Sequence, residues 1–561
     1  MPTWVLGLSA FYHDAAACLL RDGEVVLAVE EERLSRVKHD HGYPARAIAA
    51  CLDAAGIAAA DVDAVVFYEK TLPKLERQLD AWIRAFPRSM RAFVRSMSRY
   101  LDGRLDLRRW LERRGSFRGD ILFSEHHLSH AAFAFFSSPF DEAAVLVADG
   151  VGEWATTSVW SAGPGGITPE REIHFPDSLG LFYSVITAHL GFQVNEGEYK
   201  VMGLAAYGED TFADEMQALL ALAEDGSFRL STRLVDLAGR DRLSTPALEA
   251  LLGPPRAPGA PIEQRHRDLA RSAQRHLEEA LLRIEATLPE GLPLCYAGGV
   301  ALNGAANARL AARRPLFVPF APGDSGAAIG AAYVGWHLAG GHARSARRAS
   351  PYLGPAFDAA ACAAAARAEG LDARPLAELG GDGFVADRLA AGAIVGWVHG
   401  RMEFGPRALG ARSILADPRR PEMRDAINAR IKRREPFRPF APAVLEERAP
   451  DFFESDTLEP VPWMTRILPV RPERRADLGA VVHVDGTARL QTVAAEDAPR
   501  LHALIAAFAA RTGVPALLNT SFNVAGEPIV CSPGDACRCF RAAGLDGLVL
   551  GDLWIQNEPT P

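Results

Sequence analysis

VLGLSAFYHDAAACLLRDGEVVLAVE, residues 5–30, decides the fold. An apolar run at 5–8 stops at the polar loop FYHD, resumes as AAACLL, turns at Arg21-Asp22-Gly23 and returns as EVVLAVE, the pattern of three strands with a hairpin turn before the third. PARAIAACLDAAG follows with helical periodicity, opened by Pro44 and stopped by Gly56, and leads into the strand DAVVFY. From Ala143 the chain reads AAVLVADGVGEWATTSVWSAG: again an apolar strand, a polar loop beginning at Asp149, and a second apolar strand. One unit is used twice. The two equivalent loops, one with His13 and Asp14 and one with Asp149, are expected to face a shared cleft.

Further on, LPLCYAGGVALNGAANARL and FVPFAPGDSGAAIGAAYVGWH each run from a strand through a glycine-rich loop into a helix of small residues. Such helix starts present free N–H groups and suit phosphate, although glycine is equally the default residue of any tight strand-to-helix turn. The polar, aperiodic LAGGHARSARRAS between 338 and 350 places a domain boundary near 345. The expected domains are 1–345 and 355–561. The second is again mixed α/β, with a helix near 383–391, the strand AIVGWV, a basic stretch from Arg401 to Arg438, and strands in VPALLNTSFN and LDGLVLGDLWIQ.

The chain has 561 residues, enough for two to four domains at about 150 residues each; with 48% hydrophobic and 23% charged residues it reads as soluble and globular. Sixty-one basic residues against seventy acidic ones give a net charge of −9, which does not suggest a nucleic-acid partner. No apolar run reaches the roughly 18 residues of a membrane span and no basic leader precedes the first strand, so a cytoplasmic protein without a membrane partner is expected. The seven cysteines are scattered and form no C-x-x-C, so reduced thiols are expected.

SEHHLSHAAFAFFSS carries the strongest chemical signal. His126 and His130, four apart on a helix, share one face, and Asp149 and Asp324 in neighbouring loops complete a two-His, two-Asp shell suited to iron, manganese or zinc. The alternative is a helix start with histidines and no metal. His13, in the loop after the first strand, has the ordinary pKa of a general base for a hydroxyl, or is a structural loop histidine. Lys200 in NEGEYKVMGLAAYG suits a phosphate or a surface ion pair. Arg401, Arg407, Arg412 and Ser413 among glycines, with Lys432, Arg433 and Arg438 downstream, suggest bidentate anion recognition, and the NTSFN run (519–523) offers amides and hydroxyls to a planar polar ligand or forms a capping turn. Arg84, Arg88, Arg91, Arg95 and Arg99 recur at helical spacing and predict one amphipathic basic helix, either a contact for an anionic partner or the wet side of an added lid.

Taken in order, GLSAFYHDAAACLLRDG, EEERLSRVKHD, EHHLSHAAFAFFSSPF, DGVGEW, NEGEYKVMGLAAYG, AGGVALN, PGDSGAAIGAA, EFGPRALGARSILADPR, KRREPFRPFAP and LNTSFN resemble the O-carbamoyltransferase family of nodulation and antibiotic-tailoring enzymes, nearly end to end. The resemblance implies an N-terminal actin-like ATPase domain of duplicated ribonuclease H-like units and a C-terminal YrdC-like α/β domain. It implies that the C-terminal domain makes carbamoyl-adenylate from carbamoyl phosphate and ATP with Mg, and that the N-terminal domain passes the carbamoyl group to a hydroxyl of a small molecule. His126, His130, Asp149 and Asp324 would be metal ligands, iron foremost; His13, Asp14, Lys200 and Arg407 would be catalytic. Lys200, Gly203, Gly298, Gly299, Asn303 and Gly323 would contact the nucleotide in the N-terminal domain. Arg407, Arg412, Ser413, Lys432, Arg438, Asn519, Ser521 and Asn523 would line the C-terminal site. A tRNA-modifying enzyme of the threonylcarbamoyl type and a nonenzymatic nucleotide-binding scaffold stand as alternatives. A hydrogenase-maturation carbamoyltransferase is disfavoured by the lack of an acylphosphatase domain and of paired C-x-x-C motifs.

Overall fold

In the computed structural model, which describes residues 2–101, 104–237, 243–344, 349–435, 437–454 and 459–557, the opening stretch forms β1 (Trp4–Ser9), β2 (Ala16–Arg21) and β3 (Glu24–Glu30). β1 runs antiparallel to β2, and β4 (Ala64–Phe67) and β5 (Asp120–Phe123) add in parallel, giving the order β3-β2-β1-β4-β5. The same order then recurs. β6 (Ala143–Ala148), β7 (Ala155–Gly163) and β8 (Gly166–His174) form an antiparallel meander. After a separate hairpin of β9 (Leu220–Leu222) and β10 (Phe228–Leu230), β11 (Leu294–Ala297) and β12 (Leu316–Phe317) join it in parallel, in the order β12-β11-β6-β7-β8. Sheet for sheet, β6 takes the place of β1. This is a duplicated ribonuclease H-like arrangement of the actin-like kind, and the unit that the sequence uses twice is its core.

Chain contacts divide the molecule into two units: Met1–Phe11, Ala15–Val26 and Cys51–Ala349, and Tyr12–Asp14, Leu27–Ala50 and Ser350–Pro561. The boundary expected at 345 falls on 345–348, outside the described residues. In the first unit the helix Ala327–Tyr333 is made almost wholly of Ala and Gly because it lies against two other backbones. A Cβ on Gly7 of β1 would sit 2.0 Å from the Ala328 carbonyl oxygen, and one on Gly330 would sit 1.8 Å from that of Ser129 in the helix His126–Phe136. These close approaches fix the helix His126–Phe136 against the first sheet's packing layer. The expected single basic helix is instead two, Thr71–Arg84 and Met90–Leu101. Pro87 lacks a backbone N–H and disfavours helical geometry in the residue before it, so arginine spacing alone overran the break.

The second unit holds a nine-stranded mixed sheet of β13 (Ala373–Pro375), β14 (Val395–Val398), β15 (Arg412–Ala416), β16 (Ala441–Leu445), β17 (Arg466–Pro469), β18 (Thr487–Val493), β19 (Ala516–Ser521), β20 (Gly547–Leu550) and β21 (Leu553–Gln556). Their order is β13-β21-β20-β14-β15-β19-β16-β18-β17. Consecutive residues of the central strands feed opposite cores: Leu415, Ala443 and Leu517 pack with Trp397 and Phe508, while Ile414, Val444 and Leu518 pack with Phe522 and Phe540. Burial on both faces explains why these strands read as continuous apolar runs. The segment Leu27–Ala50 is bound into this unit by buried polar contacts. Ala28 N–H donates to the Leu353 carbonyl (3.0 Å), Arg33 to the Gly405 carbonyl (2.7 Å), and Glu30 Oε1 accepts the Gly405 N–H (2.7 Å).

Two stability measurements check this packing. Gly7→Ala forces a Cβ into the Ala328 carbonyl and is expected to cost about 1–3 kcal/mol, read as a lower urea midpoint; an unchanged midpoint would contradict the close approach. Burial pushes the Glu30 carboxyl up from 4.5 to about 7, against the pull of Arg33. Its contribution is therefore fully present below about pH 4.5 and is lost as pH rises through 7. The melting temperature of the wild type, relative to Glu30→Gln, should fall between pH 5 and pH 8.

Candidate metal centre and anion-binding cluster

In the first unit, two imidazoles and two carboxylates converge. Residues 126 and 130 share a face of the helix His126–Phe136, whose start is anchored by the Glu153 carboxylate, both oxygens accepting the His126 N–H at 3.1 Å. The same carboxylate accepts the Lys70 N–H at 2.7 Å. Asp149 is the first residue after β6, and Asp324 lies in the loop that precedes the helix Ala327–Tyr333. His126 Nε2 is 3.2 Å from His130 Nε2, 3.1 Å from Asp149 Oδ2 and 3.7 Å from Asp324 Oδ1; His130 Nε2 is 3.3 and 3.4 Å from the same two oxygens. His126, His130 and Asp324 are buried, and all four ligand atoms lie within 4.8 Å of one another.

These spacings pass a geometric test. A tetrahedral site with metal–ligand bonds of about 2.0–2.1 Å has edges of roughly 3.3 Å, and five edges here measure 3.1 to 3.7 Å. Burial opposes charge on the imidazoles, but Asp149 and Asp324 outweigh it: His130 is raised to about 9 and His126 is raised as well, while Asp149 is held well below the usual carboxylate range despite its burial. A divalent cation replaces two protons without altering the charge of the cluster. The neighbouring His127 is different in kind: burial lowers its pKa well below the ordinary value, and its Nδ1 faces Ser158 Oγ at 2.7 Å.

Around this cluster lie residues the sequence reading did not single out. Glu69 Oε2 stands 4.0 Å from His126 Nδ1 and is paired with Lys74 at 2.7 Å; the Tyr68 ring lies 5.3 Å from that of His126. Glu153 belongs to the quoted DGVGEW run, but its cap on a helix that begins 27 residues earlier is a tertiary contact. Among the expected nucleotide residues, Gly298 and Gly299 back the cluster: a Cβ on Gly298 would meet the Ala148 carbonyl at 2.2 Å, and one on Gly299 would meet Asp149 Oδ1 at 3.0 Å. Gly323 directly precedes Asp324. Asn303 caps the helix Gly304–Ala311 through the Ala306 N–H and bonds Gln274 at 2.8 Å, so its amide is turned inward. Lys200 and Gly203 lie on the helix Glu198–Ala205, with the Lys200 ammonium 5.5 Å from the Phe192 ring centre.

The second unit gathers the other candidates into three groups. His13 Nδ1 and His39 Nδ1 flank the Asp14 carboxylate at 3.0 and 2.8 Å, and these bonds hold Asp14 far below the usual range although burial works against its charge. His39 lies in the quoted EEERLSRVKHD, yet nothing in its spacing announces Asp14 as its partner. Lys432 is buried, and its ammonium donates to Ser521 and Asn523, at 2.6 Å to the Ser521 carbonyl and 2.7 Å to Asn523 Oδ1; burial, aided by Arg434, drives its pKa well below the ordinary value. The third group frames the loop of residues 403–413. Glu403 Oε1 accepts the N–H groups of Leu409, Ala411 and Arg412; Asn519 donates to the Ala408 carbonyl and Gln491 to that of Leu409; Ser413 Oγ accepts the Gly410 N–H. Arg412, 1% exposed, points its guanidinium at the carbonyls of Cys531, His399, Gly400, Ala411 and Pro355. Arg407 is a half-buried residue within the loop, and Arg438 lies 3.7 Å from Glu435. The structure thus brings Lys432, Ser521 and Asn523 together, and gives Arg412, Ser413 and Asn519 to the loop's frame.

Comparison with known proteins finds two matched segments in the chain. Residues 4–333 match the family model described as carbamoyltransferase N-terminus and residues 386–557 that described as carbamoyltransferase C-terminus. An uncharacterised protein of Synechocystis is 45% identical over 100% of this chain and 97% of its own. The nodulation protein NolNO of Sinorhizobium fredii is 40% identical over 98% of this chain and 80% of its own, and a 3'-hydroxymethylcephem-O-carbamoyltransferase of Amycolatopsis lactamdurans is 37% identical over 48% of this chain and 50% of its own.

Metal content discriminates among the three histidines of the helix. Purified protein loaded with Fe(II), Zn(II) or Mn(II) and desalted should retain about one ion per chain, as four-ligand sites do, whereas His130→Gln and Asp324→Asn should lose it. His127→Asn should retain it. Full retention by His130→Gln would remove the site.

Proposed function

Because the chain belongs to the carbamoyltransferase family, we propose that it is an ATP-dependent O-carbamoyltransferase that activates carbamoyl phosphate as carbamoyl-adenylate and delivers the carbamoyl group to a hydroxyl of a small molecule. The observation that carries this reading is the match of both halves of the chain, in order, to the two parts of the family model. The chemistry of the two units supports it. In the activating step, water takes the phosphoryl group of carbamoyl phosphate as inorganic phosphate, and the carbamate so released attacks the α-phosphorus of ATP through an oxygen, with pyrophosphate leaving.

That step gathers negative charge, and the second, YrdC-like unit supplies donors against it. Arg407 offers a fork of donors on a loop whose backbone is already fixed by Glu403, Asn519 and Gln491, so the guanidinium's base does not move on binding. Lys432 holds Ser521 and Asn523 in place, and its ammonium is favoured once an anion arrives beside it. In the transfer step the acceptor hydroxyl attacks the carbamoyl carbon and AMP leaves. His13, oriented by Asp14 through its Nδ1, takes the hydroxyl proton. His126, His130, Asp149 and Asp324 would hold a divalent ion, iron foremost, which when bound supplies positive charge against a phosphate or carbamoyl oxygen. Gly298 and Gly299 keep backbone close to this cluster, and Lys200 and Gly203 are proposed to meet the nucleotide.

Incubation with ATP, Mg and carbamoyl phosphate should yield AMP and pyrophosphate, and hydroxylamine should trap the carbamoyl group as hydroxyurea; ATP alone should give neither. Lys432→Met should lose AMP formation, whereas His13→Ala should keep it and lose transfer to an acceptor by about 10²- to 10⁴-fold. ATP turnover indifferent to carbamoyl phosphate would refute the proposal.

A further inference from the structure

Large apolar side chains that stand exposed are concentrated in one place. Among the described residues, Leu72, Ile83, Phe86, Met90, Val94, Leu101 and Leu105 are exposed, whereas the whole remainder of the chain adds Tyr12, Val37, Leu302, Phe357 and Val484. Scattered single apolar residues are normal on a protein surface; a local row of them is not.

The row is not the unfilled side of a core. The helices Thr71–Arg84 and Met90–Leu101 pack on each other through Leu75, Trp82 and Tyr100, with Leu79, Phe93 and Met97 against them, and the Trp82 and Phe93 rings meet edge-on at 5.6 Å. At about 100° per residue, Met90, Val94 and Leu101 fall within about 40° of one another on a separate stripe of their helix. Ile83 and Phe86, 73% and 64% exposed, continue it across the bend. Arg91 and Arg95 flank the stripe, Arg88 and Arg84, the latter paired with Asp80 at 2.7 Å, lie beside its other end, and no acidic residue occurs from 83 to 101. From 84 to 118 there are eleven arginines against three acidic residues, in a chain whose net charge is −9.

We propose that this helical pair docks on an anionic lipid surface, with Ile83, Phe86, Met90, Val94 and Leu101 entering the headgroup boundary and Arg84, Arg88, Arg91 and Arg95 meeting lipid phosphates. Exposed aliphatic and aromatic tips framed by arginines are the composition of an interfacial helix, which lies in the plane of a membrane without crossing it. Anionic headgroups add attraction for each arginine near the surface. Nucleic acid would satisfy the arginines but leave five apolar side chains in water. The expectation of no membrane partner rested on the absence of a spanning segment, and no helix among the described residues is long and apolar enough to cross a membrane; surface docking asks for neither.

The test is co-sedimentation of the full chain with vesicles of phosphatidylcholine alone or with a third of the lipid as phosphatidylglycerol. The protein should bind the anionic vesicles at least tenfold more tightly and be released by high salt. Phe86→Ser/Val94→Ser and Arg88→Glu/Arg91→Glu should each weaken binding at least fivefold with an unchanged melting temperature. No binding, equal binding to both vesicles, or binding that both double variants retain would overturn the proposal. So would a concentration-dependent dimer in sedimentation velocity that Phe86→Ser/Val94→Ser dissociates, which would give the stripe to a second copy of the chain.

Discussion

Two imidazole nitrogens 3.2 Å apart, each within 3.7 Å of the same two carboxylate oxygens, are held where water scarcely reaches them. Groups so placed in a low dielectric are costly unless their charges balance, and the architecture of the first unit serves that balance. The helix that carries both histidines starts on the Glu153 carboxylate, is packed by Gly330 against the helix Ala327–Tyr333, and through that helix rests on Gly7 of β1. One carboxylate is supplied from the second copy of the sheet motif at the end of β6, and the other from the loop before the Ala- and Gly-rich helix Ala327–Tyr333. The duplication therefore creates a place where a strand end, a loop and a helix face meet, and the two imidazoles and two carboxylates occupy it.

The second unit solves a different problem with the same means. A loop rich in glycine and arginine has many backbone groups to satisfy, and Glu403, Gln491, Asn519 and Glu30 satisfy them from inside. Arg412 is part of that internal frame, spending its donors on carbonyls. Arg407, five residues away on the same loop, is carried by it. A loop held in this way does not have to order itself before it meets a ligand.

Much of this was legible in the sequence, for physical reasons. Strand pairs announce themselves by apolar runs and turn residues, so three strands of the first copy were visible in residues 5–30 and two of the second from 143 onward, whereas β8, a largely exposed and polar strand, carried no apolar run to mark it. Helical spacing of four put His126 and His130 on one face, and loops at strand ends are where ligands gather, which drew Asp149 and Asp324 to them. What depends on distant contacts left no local trace. Glu69 and Glu153 act through folding, His39 reaches Asp14 across 25 residues, and segment 27–50 is captured by Leu353 and Gly405 more than 300 residues on. Arg412 and Arg407 look alike in a glycine-rich string; only burial separates the framing guanidinium from the other. The basic helix was overextended because arginine periodicity ran on past Pro87, where the backbone could not.

The central claim is that carbamoyl phosphate is activated through an adenylate, and exchange of labelled pyrophosphate into ATP, in the absence of any acceptor, tests it most directly. The account predicts exchange that requires carbamoyl phosphate. Exchange that proceeds without it, or AMP release with no exchange under any condition, would contradict a reversible carbamoyl-adenylate step.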